Sequence, residues 1–421
     1  MKCSRLIHLS LTLAVTIAAP LSFAQSPAVP NIIEAWRHAV DTSTRQDMLH
    51  QRFSAKEEEV SATVDQWITN SGVLRRDTER ELDSNELLVT PAIAQTRDWN
   101  GFVRYLDGIE LARFRSEAFI AAAIGFGPPA AMDQATLTST SEPHSVALFF
   151  TPSNGIRIKW IIDQDTWLPI QTIIRGAEAE QVTAYSEWQH SGGVFIPQHI
   201  VIKEKDKPDA DYRITIPVQV EPAGASTFAR IKQIGSDVIM ATSSVKLPFT
   251  MEANHIILQV QVNGRAPIGF LVDTGDGHES INTPRAATFS LSSYGATASY
   301  GGGNLAQFSL ASGATFTFPG MELRNQHVDL LDQTGLEKAL GVLLGGILGY
   351  DFLSRFIVEI DYDAKIMTLH KPSAWQYTGH GFVVPITFVM AASLTSKRKF
   401  QYPLNPPSSR ICAWTSAPPI L

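Results

Sequence analysis

The stretch that decides the fold of the second half of the chain is FLVDTGDGHES, residues 270–280. Its first apolar residues, Phe270–Val272, predict the end of a buried strand, and the small residues after them predict a tight turn. The turn holds the carboxylate of Asp273 rigidly, and Gly275 lets backbone or substrate approach closely. A second acid, Asp276, follows. The turn therefore either carries chemistry or is a plain end of a strand.

The residues before this stretch predict a pair of strands that leads into it. His255–Val262 alternates between apolar and polar side chains and is rich in β-branched residues, which is typical of a strand. Asn263-Gly264 is a strong signal for a hairpin turn. Pro267–Val272 then predicts the returning strand, which delivers Asp273 at its end.

Three features further along the chain give this turn a context. Gly346–Leu353, with the sequence GILGYDFL, combines apolar residues and glycine ahead of a predicted short helix. Phe356–Ile360 and Ile366–Leu369 predict a terminal hairpin. Between the turn and these segments lies Tyr300–Gly303, with the sequence YGGG, which predicts a loop.

In order and spacing these features resemble the retropepsin and pepsin clan of aspartic proteases. The resemblance implies an all-β closed barrel over residues 245–375, with Asp273 as a catalytic carboxylate. It also implies supporting roles in the active-site turn for Thr274, which braces the loops, for Gly275 and for Asp276. The remaining residues to which the resemblance gives a role are Tyr300, Gly301, Gly302 and Gly303 as the flap, and Ile347, Leu348 and Gly349 as packing beneath the site.

The chemistry of that clan needs two carboxyls, because one accepts a proton from water while the other donates one to the peptide. The chain contains a single Asp-Thr-Gly. The resemblance therefore implies a second copy, supplied by a homodimer or by a missing second unit, with a peptide or protein as substrate and no cofactor. Val384–Phe388 repeats the pattern of Leu247–Met251, so 383–390 is interpreted as the truncated start of a second unit. The tail, 391–421, is predicted to be disordered.

Asp276 departs from the small residue that the family has at its position. At a separation of ~6 Å and an effective dielectric of ~20, a second carboxylate costs an ionised Asp273 up to ~3 kcal/mol. The repulsion raises the pKa of the pair. Asp276 thus predicts either a protease with a shifted pH optimum or an inactive site that is retained as a binding fold.

Other candidates have structural interpretations. Asp351 is predicted to cap the helix that begins near Phe352. His278-Glu279 lacks the second histidine of a zinc protease motif, so no metal site is predicted. The glycines at 301–303 lack the lysine of a phosphate-binding loop.

The first half predicts an α+β domain over residues 25–235, with an antiparallel sheet and helices. Gly108–Gly125 predicts a helix that ends at glycine and proline residues. A succession of short strands joined by turn residues follows, and its pattern resembles the half-barrel of lipoprotein-sorting factors. The aromatic residues predicted to form the core of this domain are Trp67, Trp99, Phe149, Phe150, Trp160, Trp167 and Trp188.

Composition narrows the class of protein. The 421 residues carry a net charge of -7 and no basic stripe apart from the short run Lys397–Lys399, which argues weakly against a nucleic-acid partner. Residues 1–24 have the charged start, apolar run and cleavage site of a signal peptide, and the run is too short to span a membrane. The chain is therefore predicted to be exported to the periplasm or outside the cell.

Cys412 is the only cysteine that remains after cleavage, so no internal disulfide is expected.

These observations leave two functions open. The first is an exported aspartic endopeptidase without a cofactor. The second is a catalytically inactive periplasmic binding protein for an apolar or lipid-bearing ligand. Whether Asp273 and Asp276 together allow catalysis is expected to distinguish these two functions.

Overall fold

The structure of the chain is a computed structural model, and it describes residues 27–40, 48–57, 60–81, 84–175, 180–205, 208–221, 224, 226–233, 237–301, 304–377 and 411–414. The predicted signal peptide, 1–24, and the predicted truncated unit, 383–390, lie outside these residues. Within them, the chain is predominantly β-stranded and forms two large sheets.

The first sheet is antiparallel and contains the described strands as far as residue 221. Its order is β6-β5-β4-β3-β2-β1-β13-β12-β11-β10-β9-β8-β7. The strands are β1 (Met48–Glu57), β2 (Val60–Thr69), β3 (Leu74–Arg80), β4 (Ser84–Val89), β5 (Ala94–Arg97), β6 (Val103–Tyr105), β7 (Thr136–Thr138), β8 (Ser145–Phe150), β9 (Ile158–Asp163), β10 (Pro169–Arg175), β11 (Glu180–Ser191), β12 (Val194–Glu204) and β13 (Ala210–Glu221).

Two helices pack on this sheet. Helix α1 (Val29–Ala39) buries Ile32, Ile33 and Trp36 completely, and the Trp36 ring lies 5.0 Å from that of Trp160. Helix α2 (Gly108–Phe126) coincides with the helix predicted from the sequence and ends at Gly127, whose φ of 82° suits glycine. A short 3-10 helix, Ala130–Gln134, follows.

The second sheet contains the described strands from residue 238 onward. The strands are β14 (Val238–Met240), β15 (Ser244–Glu252), β16 (His255–Val262), β17 (Ile268–Val272), β18 (Ser280–Asn282), β19 (Tyr294–Gly301), β20 (Asn304–Phe318), β21 (Met321–Leu331), β22 (Leu344–Leu348), β23 (Ile357–Asp361), β24 (Ile366–His370) and β25 (Ile411–Trp414). The described residues of this part of the chain also form four helices, which are α3 (Thr334–Leu340), α4 (Tyr350–Ser354) and the 3-10 helices Thr283–Phe289 and Pro372–Ala374.

The order of the second sheet is β19-β20-β21-β18-β22-β17-β16-β15-β24-β23-β25, and β16 also pairs with β20. The predicted hairpin at Asn263-Gly264 is present, with positive φ angles at both residues. The predicted terminal hairpin is present as β23 and β24. Within the predicted tail, Ile411–Trp414 forms β25 and pairs with β23.

The strand that leads to Asp273 lies between one parallel and one antiparallel neighbour. Strand β17 pairs antiparallel with β16 and parallel with β22. Close approach of β18 to β22 requires glycine, because a Cβ at Gly346 would lie 1.8 Å from the carbonyl oxygen of Ser280. These pairings bring the segment around residue 348 beside the predicted catalytic turn.

The segment between the two sheets contacts both of them. The backbone N–H of Ile231 donates to the side chain of Gln95, and the side chain of Gln233 bonds to the backbone of Gly101 and Val103. A few residues later, β14 pairs with β21 of the second sheet. The second sheet thus begins before residue 245, where the sequence places the start of its domain.

None of the described helices is both long enough and apolar enough to cross a membrane.

Candidate active site

Asp273 lies directly after β17, at the end where β22 pairs in parallel. Its backbone N–H donates to the carbonyl of Leu348 at 3.1 Å, which extends the parallel pairing by one residue. Its Oδ1 accepts the backbone N–H of Gly275 at 2.8 Å. Thr274 and Gly275 are exposed. The turn therefore holds a carboxylate in a fixed place while its tip stays open to a partner.

The segment after β22 closes on this turn from below. The backbone N–H groups of Tyr350 and Asp351, at the start of α4, donate to the carbonyls of Asp276 and Gly277. A Cβ at Gly349 would lie 2.3 Å from the carbonyl oxygen of His278, so this contact also requires glycine.

The residues predicted to pack beneath the turn lie at the end of β22 and at the start of α4. Ile347 and Leu348 are buried, and they pair with Leu271 and Val272 in β17. Gly349 follows as the N-cap of α4.

The flap candidates lie on a hairpin made by β19 and β20. Tyr300 pairs with Leu305, and Gly301 pairs with Asn304. Gly302 and Gly303 lie outside the described residues. The start of the hairpin is near the first sheet, because a Cβ at Gly295 would lie 3.2 Å from the side chain of Val60 in β2. The flap role stays a prediction.

Asp276 lies beside the turn and is partly buried. Burial raises the pKa of its carboxyl and the charge of Asp273 adds to the rise, while a hydrogen bond and charge from His278 oppose it. Repulsion between the two acids, which the sequence suggests as the main effect, is thus smaller than burial. Asp276 is therefore biased toward its neutral form.

Asp351 does not cap α4, contrary to the prediction. Gly349 occupies the N-cap position, and the Asp351 carboxylate instead bonds to Nδ1 of His278 at 2.8 Å. Burial alone would raise the pKa of Asp351, but the charges of His278 and Arg355 hold it below its usual range. Asp351 and His278 therefore form an ion pair that joins α4 to the turn.

Further buried charges surround this pair. Glu279 is fully buried, and among the described residues neither of its carboxylate oxygens has a hydrogen-bond partner. Burial raises the pKa of Glu279 above its ordinary value and raises the pKa of Asp329 to about 7. Arg355, buried beneath, bonds to Asp237 at 2.7 Å. The region below the turn therefore carries acids that favour the protonated form.

A loop of the first sheet reaches this region. Between β5 and β6, Trp99 places its ring 4.7 Å from that of His278 and 6.3 Å from that of His327. Asn100 bonds to the backbone of His327 through both atoms of its amide. The prediction that Trp99 belongs to the core of the first domain is therefore wrong, because it packs against the second sheet.

Sequence reasoning also missed two contacts of the same kind. The guanidinium of Arg355 lies 5.1 Å from the ring of Phe102, and that of Arg104 lies 6.0 Å from the ring of Tyr350. The only local signal for these contacts was the sequence Asp-Trp-Asn-Gly at 98–101, in which an aromatic residue lies within a polar turn. A residue of the domain core is not usually placed in such a turn.

Comparison with known families finds the same resemblance in this part of the chain. Residues 258–352 match a family model described as aspartyl protease. The match covers the turn at Asp273 and ends in α4. No curated protein matches the chain.

Solved structures resemble both halves of the chain. A retropepsin-like aspartic protease from Rickettsia conorii is 18% identical, with 32% of this chain and 93% of that chain covered and a TM-score of 0.23. A LolA superfamily protein from Nitrosomonas europaea is 9% identical, covering 49% and 99%, with a TM-score of 0.28. The MucA/MucB complex of Pseudomonas aeruginosa gives 12% identity, 75% and 97% coverage and a TM-score of 0.20.

Proposed function

We propose that this protein is an exported aspartic endopeptidase in which Asp273 is one of two catalytic carboxylates. The observation that supports the proposal best is the geometry of the turn. Asp273 is fixed by Gly275 and Leu348, whereas Thr274 and Gly275 are open to solvent. A second turn of the same kind can therefore approach it.

The second carboxylate comes from a second Asp-Thr-Gly, supplied either by another copy of the chain in a homodimer or by a second unit of which residues 383–390 are the start. The 421 residues contain a single Asp-Thr-Gly, so they supply one such carboxyl. The pairing of β16 with β20 supports a closed barrel of the retropepsin kind over residues 245–375. We also propose that the protein is located in the periplasm or outside the cell, and that residues 25–235 form a separate first domain.

The reaction follows from two carboxyls in contact, which cannot both ionise and therefore share one proton. The ionised carboxyl accepts a proton from the attacking water, and the protonated one donates to the peptide. The chemistry passes through no covalent intermediate and uses no cofactor. Because Asp276 adds a third carboxyl beside the dyad, we expect cleavage either to need the protonation of an additional group or to have a less acidic optimum than a dyad without this acid.

Peptide cleavage by the full chain tests this proposal. The substitution Asp273→Asn should abolish cleavage, since an amide cannot accept the proton from water. Asp363→Asn, at an exposed turn far along the sequence, is the matched control and should leave the rate unchanged. Cleavage that survives Asp273→Asn would overturn the assignment. A wild-type chain that forms dimers and cleaves no peptide at any pH would do the same.

An inactive binding protein is the second candidate, and Asp276 is the observation that favours it. A partly buried acid beside Asp273 makes a shared-proton dyad harder to form. Under this alternative, purified protein carries an apolar or lipid-bearing ligand and does not bind a transition-state mimic of the pepstatin type. Lipid analysis by mass spectrometry and a thermal shift with the mimic distinguish the two functions.

A further inference from the structure

We propose that Trp99 and Asn100 are positioning residues for the Asp273 turn, so that the first domain holds the site through the His278–Asp351 pair. The inference rests on the proposed role of Asp273 as the reacting carboxylate. It adds that the protease-like half depends on the loop between β5 and β6 for the geometry of its site.

The first step is the link between Asp273 and His278, which lie on the same short turn. The carbonyls of Asp276 and Gly277, between them, accept hydrogen bonds from the start of α4. The His278 side chain then binds Asp351 in the same helix at 2.8 Å. Any shift of His278 relative to α4 therefore disturbs the backbone that carries the catalytic carboxylate.

The second step is the contact that Trp99 makes with His278. The ring centroids are 4.7 Å apart, and the planes are inclined by 52°. The His278 side chain is 41% exposed, whereas that of Asp351 is 8% exposed, so water reaches the ion pair mainly from the imidazole side. Loss of the indole would expose this side further and weaken the ion pair.

The third step is the way that Asn100 fixes the loop. Its Oδ1 accepts the backbone N–H of His327 at 2.7 Å, and its Nδ2 donates to the carbonyl of His327 at 3.3 Å. One side chain thus satisfies the donor and the acceptor of a single residue in β21, as a neighbouring strand would. This two-point bond sets the position of Trp99 relative to the second sheet.

The pKa of His278 depends on the charges around it, so it reports on the contact with Trp99. Burial by itself would lower the pKa of His278, but the carboxylate of Asp351, with Asp329 and Glu279, raises it to about 10. The other acids that pack on this region are Asp276 on the turn and Asp98 on the first-domain loop; burial raises the pKa of Asp98 to about 6, and the charge of Asp351 adds to the rise. When water replaces the indole, both the lowering by burial and the raising by the acids weaken. Because the raising effects together outweigh burial, the pKa of His278 falls toward its ordinary value.

The experiment uses the full chain with ¹⁵N-labelled histidine, and the His278→Gln variant assigns the resonance among the 11 histidines. In Trp99→Ala we expect the pKa of His278 to fall by about one unit or more. We also expect amide exchange in the 273–280 peptide to speed up roughly tenfold through local opening. Trp99→Phe should restore both. In a preparation that cleaves peptide, Trp99→Ala should lower kcat with KM unchanged.

Trp67→Ala is the matched control, because Trp67 stacks on His50 at 4.5 Å entirely within the first sheet. It should change neither readout at the turn. Unchanged titration and exchange in folded Trp99→Ala would overturn the proposal. If that variant does not fold, Asn100→Ala takes its place with the same expected and contradicting results. Neither readout needs catalysis, so an inactive chain with a coupled His278 would refute only the protease function.

Discussion

Asp329 is a buried acid in β21 whose Oδ1 lacks a hydrogen-bond partner among the described residues. Burial raises its pKa from 3.8 to about 7, and the charges of Asp276 and Asp351 act in the same direction, while that of His278 opposes them. Between these two values the folded chain holds a proton that the unfolded chain has lost. The free energy of unfolding therefore falls as the pH rises from about 4 to about 7.

Asp329→Asn removes this proton and should flatten the dependence. Relative to the wild type, the variant should gain about 1 kcal/mol for each pH unit across that window, and less than this at its two ends. Urea unfolding at a series of pH values measures it. Parallel curves for the wild type and the variant would show that Asp329 is ionised in the folded protein.

At the scale of elements, the approach of β22 and α4 to the Asp273 turn depends on Gly349. Gly349→Ala would place a Cβ 2.3 Å from the carbonyl of His278 and 2.8 Å from that of Asp276. Both obstacles are backbone atoms, so the helix must move away. We expect a loss of about 1–3 kcal/mol in the free energy of unfolding.

Gly335→Ala in α3 is the control for that substitution, because nothing lies within 4 Å of the added Cβ. There the change should be neutral or stabilising by about 0.5 kcal/mol, since alanine favours helix. Urea midpoints of the two variants give the comparison. A Gly349→Ala variant as stable as the wild type would mean that the backbone beneath the turn is free to shift.

The local elements around the site could be predicted from the sequence, because their signals are short-range. Alternating residues, Asn263-Gly264 and the terminal hairpin each depend on neighbours a few positions away. The expectation that Ile347, Leu348 and Gly349 lie beneath the turn came from the family resemblance and not from periodicity, and the parallel pairing of β17 with β22 was not predicted. The cap predicted at Asp351 was wrong because helix-capping rules weigh only local bonds, whereas His278 binds that carboxylate from a different segment.

At the scale of the whole molecule, the two sheets are connected by more than their covalent segment. Trp99, Asn100 and Phe102 contact the second sheet, and the segment around Gln233 bonds back to the first. We therefore expect a single calorimetric unfolding transition for the wild type. The double variant Trp99→Ala with Asn100→Ala should show two transitions, one for each sheet. Two resolved transitions in the wild type would contradict this expectation.

These connections could not be predicted from the sequence. The loop at 98–102 is far along the chain from its partners around residues 278, 327 and 355. The local sequence of each of these segments predicts only an ordinary turn or strand. An aromatic residue in such a loop fits a domain core as well as it fits a contact between domains. Only the fold decides which surface lies opposite it.

The position of β1 in the middle of the first sheet has a consequence for the order of folding. Met48–Glu57 pairs on one side with β2, which follows at once, and on the other with β13, which ends at residue 221. During synthesis the open edge of β1 must wait until nearly the whole domain has been made. Such non-local pairing slows folding and leaves an unpaired strand edge exposed to other chains. A nascent chain of this protein is therefore expected to need protection from aggregation until β13 has been added.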